Sequence, residues 1–210
     1  MAATLIKSKN DLKLVIDDLS MLLVQSSNIT MTPGTGNTAT LGPITPDYEL
    51  PVTVDTLQTN GGEPTINHYK VIGLDTDWTS SSTPGEWTVQ FTVPTLNTDV
   101  LKFAFGDASV GTVSGSIEAM NDSGGNSVVT AWSNVTGSYV NFSTNKINCS
   151  LVIMNGAKDK MVVFRSVDLY AHLMKEANGD PYCVQFTGTV VSDGYDMLVL
   201  QKGAAVSSGD

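Results

Sequence analysis

Two stretches of this chain alternate apolar and polar residues in the same phase. In Trp87-Thr-Val-Gln-Phe-Thr-Val93, the residues Trp87, Val89, Phe91 and Val93 point one way and Thr88, Gln90 and Thr92 the other. In Tyr182-Cys-Val-Gln-Phe-Thr-Gly188, the residues Tyr182, Val184 and Phe186 alternate with Cys183, Gln185 and Thr187. A period of two marks a strand with one buried and one wet face. The shared Val-Gln-Phe-Thr is too short to establish an internal repeat.

The same reading extends along the chain. Leu12–Asp17 and Met21–Gln25, split by Asp17-Asp18, read as a hairpin, although Leu12, Val15, Ile16, Leu19 and Leu22 also fit a helical face behind a Ser8/Asp11 capping box. The surroundings are β-like, so the extended reading is preferred. Pro33, Pro43, Pro46 and Pro51 make Thr32–Pro51 an extended arm or loop. Val52–Leu57 alternates as a short strand, Gly61-Gly62 breaks it, a strand follows over Ile66–Leu74, and Ser80–Gly85 is a loop. Pro94 ends the Trp87 strand. A short helix is then predicted, capped by Asn97 or Thr98, with Val100, Leu101 and Ala104 on one face and Gly106 as its stop.

From Gly106 to Asn155 the chain is rich in Gly, Ser and Asn, with short strands at Val113–Ile117, Val128–Trp132, Tyr139–Phe142 and Ile147–Met154. A long strand, Met161–Met174, turns at Ala177–Pro181 into the Tyr182 strand, which runs to about Val191, and Met197–Gln201 closes the series. These elements predict a mainly β domain over residues 1–202, with an N-terminal arm (1–50), an elaboration (106–155) and a small polar tail (203–210) expected to be mobile.

Composition narrows the function. The 11 basic and 21 acidic residues leave a net charge of −10, which argues against a protein that grips nucleic acid or an anionic membrane. Charged residues are only 15% of the chain, and the hydroxyl, amide and glycine residues that replace them suit turns and polar strand faces. The start of the chain lacks the long apolar core of a signal peptide, and no apolar run approaches a membrane span. Cys149 and Cys183 form no CxxC motif and read as buried free thiols of a reducing compartment.

Three motifs imitate active sites. Asp75-Thr-Asp77-Trp-Thr79 follows an apolar stretch as in aspartyl phosphotransferases, where one Asp attacks phosphorus and the other moves a proton beside Mg²⁺. That chemistry sits on a parallel sheet with crossover helices, whereas a Ser/Pro/Gly loop and a strand follow here. Asn121-Asp-Ser123-Gly-Gly125 resembles a serine-protease nucleophile segment with His68 upstream, but a glycine-rich turn explains it better. His68, His172 and the two cysteines lack zinc-ligand spacing. The expectation is a protein without catalytic residues, metal or cofactor.

The order of elements from Leu50 to Gln201 carries a resemblance. A short strand, a strand into an acidic loop, the Trp87–Val93 strand and the Asn97–Gly106 helix are followed by the Met161–Val191 hairpin, with its run Gly179-Asp-Pro-Tyr-Cys-Val-Gln-Phe-Thr-Gly188. This arrangement resembles the major tail tube protein of tailed bacteriophages and, in outline, the tube proteins of contractile injection machines. The resemblance implies a β-sandwich or barrel-like fold with one flanking helix. It also implies hexameric rings stacked into a hollow tube through which DNA passes without specific binding, in a virion assembled in the host cytoplasm. Tape-measure, terminator, baseplate or sheath proteins would be further partners. An acidic lumen would keep DNA from sticking, and Asp168 and Glu176 on the long hairpin are candidates to line it. The competing readings are another structural β protein (a capsid decoration protein, a pilus-like subunit or an immunoglobulin-like adhesin module) and a phosphatase built on Asp75 and Asp77.

Overall fold

The computed structural model describes residues 19–53, 55–73, 76–77, 79–175, 177–192 and 194–203. In chain order the strands are β1 (Leu19–Gln25), β2 (Met31–Pro33), β3 (Ala39–Leu41), β4 (Tyr48–Leu50), β5 (Gln58–Gly61), β6 (Thr65–Tyr69), β7 (Thr79–Thr83) and β8 (Trp87–Val93). Helix α1 (Thr98–Phe105) and one 3-10 turn (Asp107–Ser109) follow. Next come β9 (Val110–Ile117), β10 (Met120–Asn121), β11 (Ser127–Val129), β12 (Trp132–Val140), β13 (Ile147–Asn155), β14 (Lys160–Met174), β15 (Cys183–Val190) and β16 (Met197–Gln201). Among the described residues the fold is mainly β with one short α-helix, as the alternation predicts.

The body is an eight-stranded antiparallel sheet in the order β4-β1-β13-β14-β15-β8-β5, with β16 also on β14. The two similar strands of the sequence are neighbours in it: Val184 pairs with Val93 and Phe186 with Phe91, whose rings stack at 5.0 Å. Their apolar residues share one face because the antiparallel register keeps their phases together. Gly188 is required within β15, since a Cβ there would run into the Asp168 backbone and the Leu169 side chain.

The sheet is curled. The Thr53 N–H donates to the Thr92 carbonyl of β8 only three residues after β4 ends, a reach of about 10 Å at most. In a flat sheet β4 and β8, five positions apart, would be separated by about 24 Å. The barrel-like expectation therefore has a physical basis in a single sheet bent until its two ends nearly meet. Into its concave side packs α1, through Leu101, Ala104 and Phe105, against Leu22, Leu50, Phe91, Leu151, Leu169 and Phe186. The helix starts where the Asn97 Oδ1 accepts from the Asp99 N–H, and it ends at Gly106, whose φ of 90° suits a residue without Cβ.

A second, smaller core lies on the opposite face. Ile29, Val152 and Val163 are buried there under the β2–β3 arm, with Leu41, Ile44, Leu198 and Leu200 packed around them. Buried Arg165 ties this side together: its Nε donates to the Ile29 carbonyl at 2.7 Å, and its guanidinium lies over the Tyr195 ring. The arm predicted at 32–51 is thus a packed element with its own hairpin.

Several boundaries differ from the sequence reading. Among the described residues of Val52–Leu57 there is no strand. Thr56 closes a turn on the Thr53 carbonyl, and Asp55 adopts a left-handed φ of 65°, so the strand begins only at Gln58. The loop expected at 80–85 contains β7, because Ser and Thr with both faces wet can pair along β6 without any apolar alternation to signal it. Val128–Trp132 is divided between β11 and β12. Ile147–Asn155, placed in the elaboration by its polar surroundings, is a central strand between β1 and β14. The suggested partner of β1 at Leu12–Asp17, Leu74 of the strand expected over Ile66–Leu74, and the tail from residue 204 lie outside the described residues.

Candidate interaction surfaces

The convex face of the curled sheet is polar wherever the arm does not cover it. Register places Asn148, Asp168, Thr189, Thr88 and Asn60 in one row across the strands. Tyr170, Thr187, Gln90 and Gln58 form the next, and His172, Gln185 and Thr92 a third. Most of these side chains are half-buried or exposed. They are the wet positions of the same strands whose alternate residues form the main core.

Asp168, expected to contribute negative charge, belongs to this face. Its carboxylate accepts from the Lys146 Nζ at 2.6 Å and the Asn148 Nδ2 at 2.9 Å. The Lys146 hydrogen bond holds the Asp168 pKa below its ordinary value, and the same bond raises that of Lys146. The charge of Asp168 is thereby offset within the face. Glu176 lies outside the described residues.

Two hairpins project from the body. Both strands of β6–β7 are exposed along their length, and the tip beyond them presents Val71 and a fully exposed Ile72. Asp77, from the acidic motif, sits on this hairpin and pairs with His68, its carboxylate 2.5 Å from Nδ1. Asp75 lies outside the described residues. The second hairpin, β9–β12, extends from the end of α1 and carries the small β10–β11 hairpin beyond it. Ser123 lies in the β10–β11 turn, where the Asp122 carboxylate accepts from the Gly124 and Asn126 N–H groups and is held at a low pKa chiefly by the Asn126 side chain. His68 and Ser123 are thus carried on separate hairpins.

The other candidate ligands are also apart. Cys149 is fully buried in the main core, where desolvation pushes its thiol up to about 12. Cys183 is buried at the start of β15 and donates to the Met174 carbonyl, while His172 is on the convex face. Among the described residues no three His, Cys, Asp or Glu side chains gather as a metal site would require. A cleft of ≈ 490 Å³ between α1 and the β9–β12 ribbon is lined by Leu96, Thr98, Leu101, Ser138 and Leu173, without titratable groups. No family model matches the chain, and no curated protein matches it.

The sequence reading missed the convex polar face as a unit. Each strand showed its wet positions, but only the strand order aligns them. It also missed how exposed the β9–β12 ribbon is.

Proposed function

We propose that this chain is a structural subunit that assembles with copies of itself into rings and a hollow tube, as the tail tubes of bacteriophages do, and that the convex polar face forms part of the inner wall. The observation that carries the reading is this face: a curved field dominated by amides and hydroxyls that spans five strands, in which no three His, Cys, Asp or Glu side chains gather among the described residues. A basic wall would bind DNA through counterion release. A wall dominated by amides and hydroxyls, with its one aspartate offset by a lysine, gives a passing polyanion no such hold.

The rest of the surface supports assembly. β16 pairs only with β14, so among the described residues its other edge is open. Open edges attract further strands, and in an assembly they become the joints between subunits. Contacts that close a ring laterally can coexist with open-ended stacking along the axis. Negative-stain imaging of the purified protein over a range of concentrations tests the proposal. Rings or tubes of uniform bore are expected. A particle that stays monomeric throughout, or compact trimers without a bore, would contradict it.

A further inference from the structure

The β9–β12 ribbon has its apolar face turned the wrong way for a lone domain. Register sorts its side chains onto two faces, with one irregularity between Trp132 and Val135, where Asn134 has a left-handed φ of 58°. One face carries Tyr139 opposite Gly111, Val113 opposite Gly137, Val135 opposite Gly115, and Trp132 opposite Ile117. The other begins with Val110 and Val140 in the main core and continues with Thr112, Ser138, Ser114 and Thr136. The hydroxyl face is the one that meets the body, through a 2.6 Å hydrogen bond between Ser138 and Thr98 of α1. The apolar face looks away: Val113, Trp132 and Tyr139 are each about half exposed.

A two-stranded ribbon has no core of its own, so it cannot bury such a face unaided. Charge selects the occupant. Neither strand of the ribbon carries a charged residue, in a chain whose net charge is −10. A basic partner would find nothing here to pair with, whereas an equally acidic copy meets no repulsion. Relief suits an apolar neighbour of this kind. The first three cross-strand pairs each set a large side chain against a glycine, with the Tyr139 ring lying across Gly111 and open space above Gly115. Such a surface alternates ridges with gaps and offers an apolar neighbour places to interlock.

We infer that the apolar face of the β9–β12 ribbon is the docking surface for a second copy of this chain. The inference rests on the self-assembly reading and assigns that contact to one face of one hairpin. The test is sedimentation of the full chain over a concentration series, comparing Val113→Lys and Trp132→Lys with Ser114→Lys and Thr136→Lys, which add the same charge to the opposite face. The first pair should raise the concentration at which assembly is half complete by about tenfold or more, as expected when a buried apolar side chain is lost from a contact. The second pair should stay within about twofold. Circular dichroism establishes that each variant is folded. If a lysine variant misfolds, Val113→Thr and Val135→Thr keep the β-branched shape and should still weaken assembly. Wild-type chain that assembles, with apolar-face variants matching it or with both faces equally sensitive, overturns this inference alone. Wild-type chain that never assembles overturns both it and the self-assembly reading.

Discussion

The strands β14 and β15 and the ribbon β9–β12 are written in similar language and meet opposite fates. Both alternate apolar with polar residues. In the body, the apolar positions Val167, Leu169, Val184 and Phe186 are completely buried because α1 and the neighbouring strands cover them. In the ribbon the equivalent positions Val113, Ile117 and Trp132 face solvent. The alternation dictates which residues share a face. Whether that face is covered depends on what else the chain, or another chain, lays over it.

That contrast can be broken from the side of the body first. Phe186→Ala removes a ring that stacks on Phe91 and touches Phe103, and should destabilise the monomer by about 3–5 kcal/mol in urea unfolding. A loss near that of an exposed position would mean that the concave core is not the stabilising centre. Arg165→Leu tests the second core. It leaves the Ile29 carbonyl without its buried donor and should cost about 1–3 kcal/mol, with the β2–β3 arm the first segment to gain protease sensitivity. Asn97→Ala, which removes the helix cap, should cost about 1 kcal/mol in the same unfolding assay. By comparison, Val113→Thr on the ribbon should change monomer stability by no more than about 0.5 kcal/mol.

The smallest effect concerns the convex face. The Asp168 pKa is lowered in the folded state, so the stabilisation from its bond to Lys146 is fully present above the ordinary aspartate value of 3.8. It is lost as the pH falls through the lower, folded value. Lys146→Ala should therefore abolish a small part of the stability at neutral pH and flatten the acid limb of the stability profile. Identical pH profiles for the two proteins would show that the pair contributes nothing.

How much of this was legible in the sequence depends on the kind of information each feature needs. Strands β8, β15 and β16 and the helix between Asn97 and Gly106 were legible because alternation, periodicity and caps are local. Strand β7 was not, since Thr79–Thr83 has no apolar member and its only reason to be extended is β6 beside it. The central place of β13 was hidden by its Asn- and Ser-rich approach, although Leu151, Val152 and Ile153 form its most apolar run. On the candidate surface, Asp168 could be singled out as an acid on a long strand. Its neutralisation by Lys146, some twenty residues away, required the β13–β14 register.

The central claim is that the exposed ribbon acquires in an assembly the cover that the body already has. Amide hydrogen exchange on dilute and concentrated protein measures this directly, because exchange reports local opening segment by segment. The account predicts slow exchange in β13–β15 under both conditions, and fast exchange in β9–β12 that slows by at least about tenfold when copies associate. Assembly that leaves β9–β12 exchanging as fast as in the monomer would contradict it.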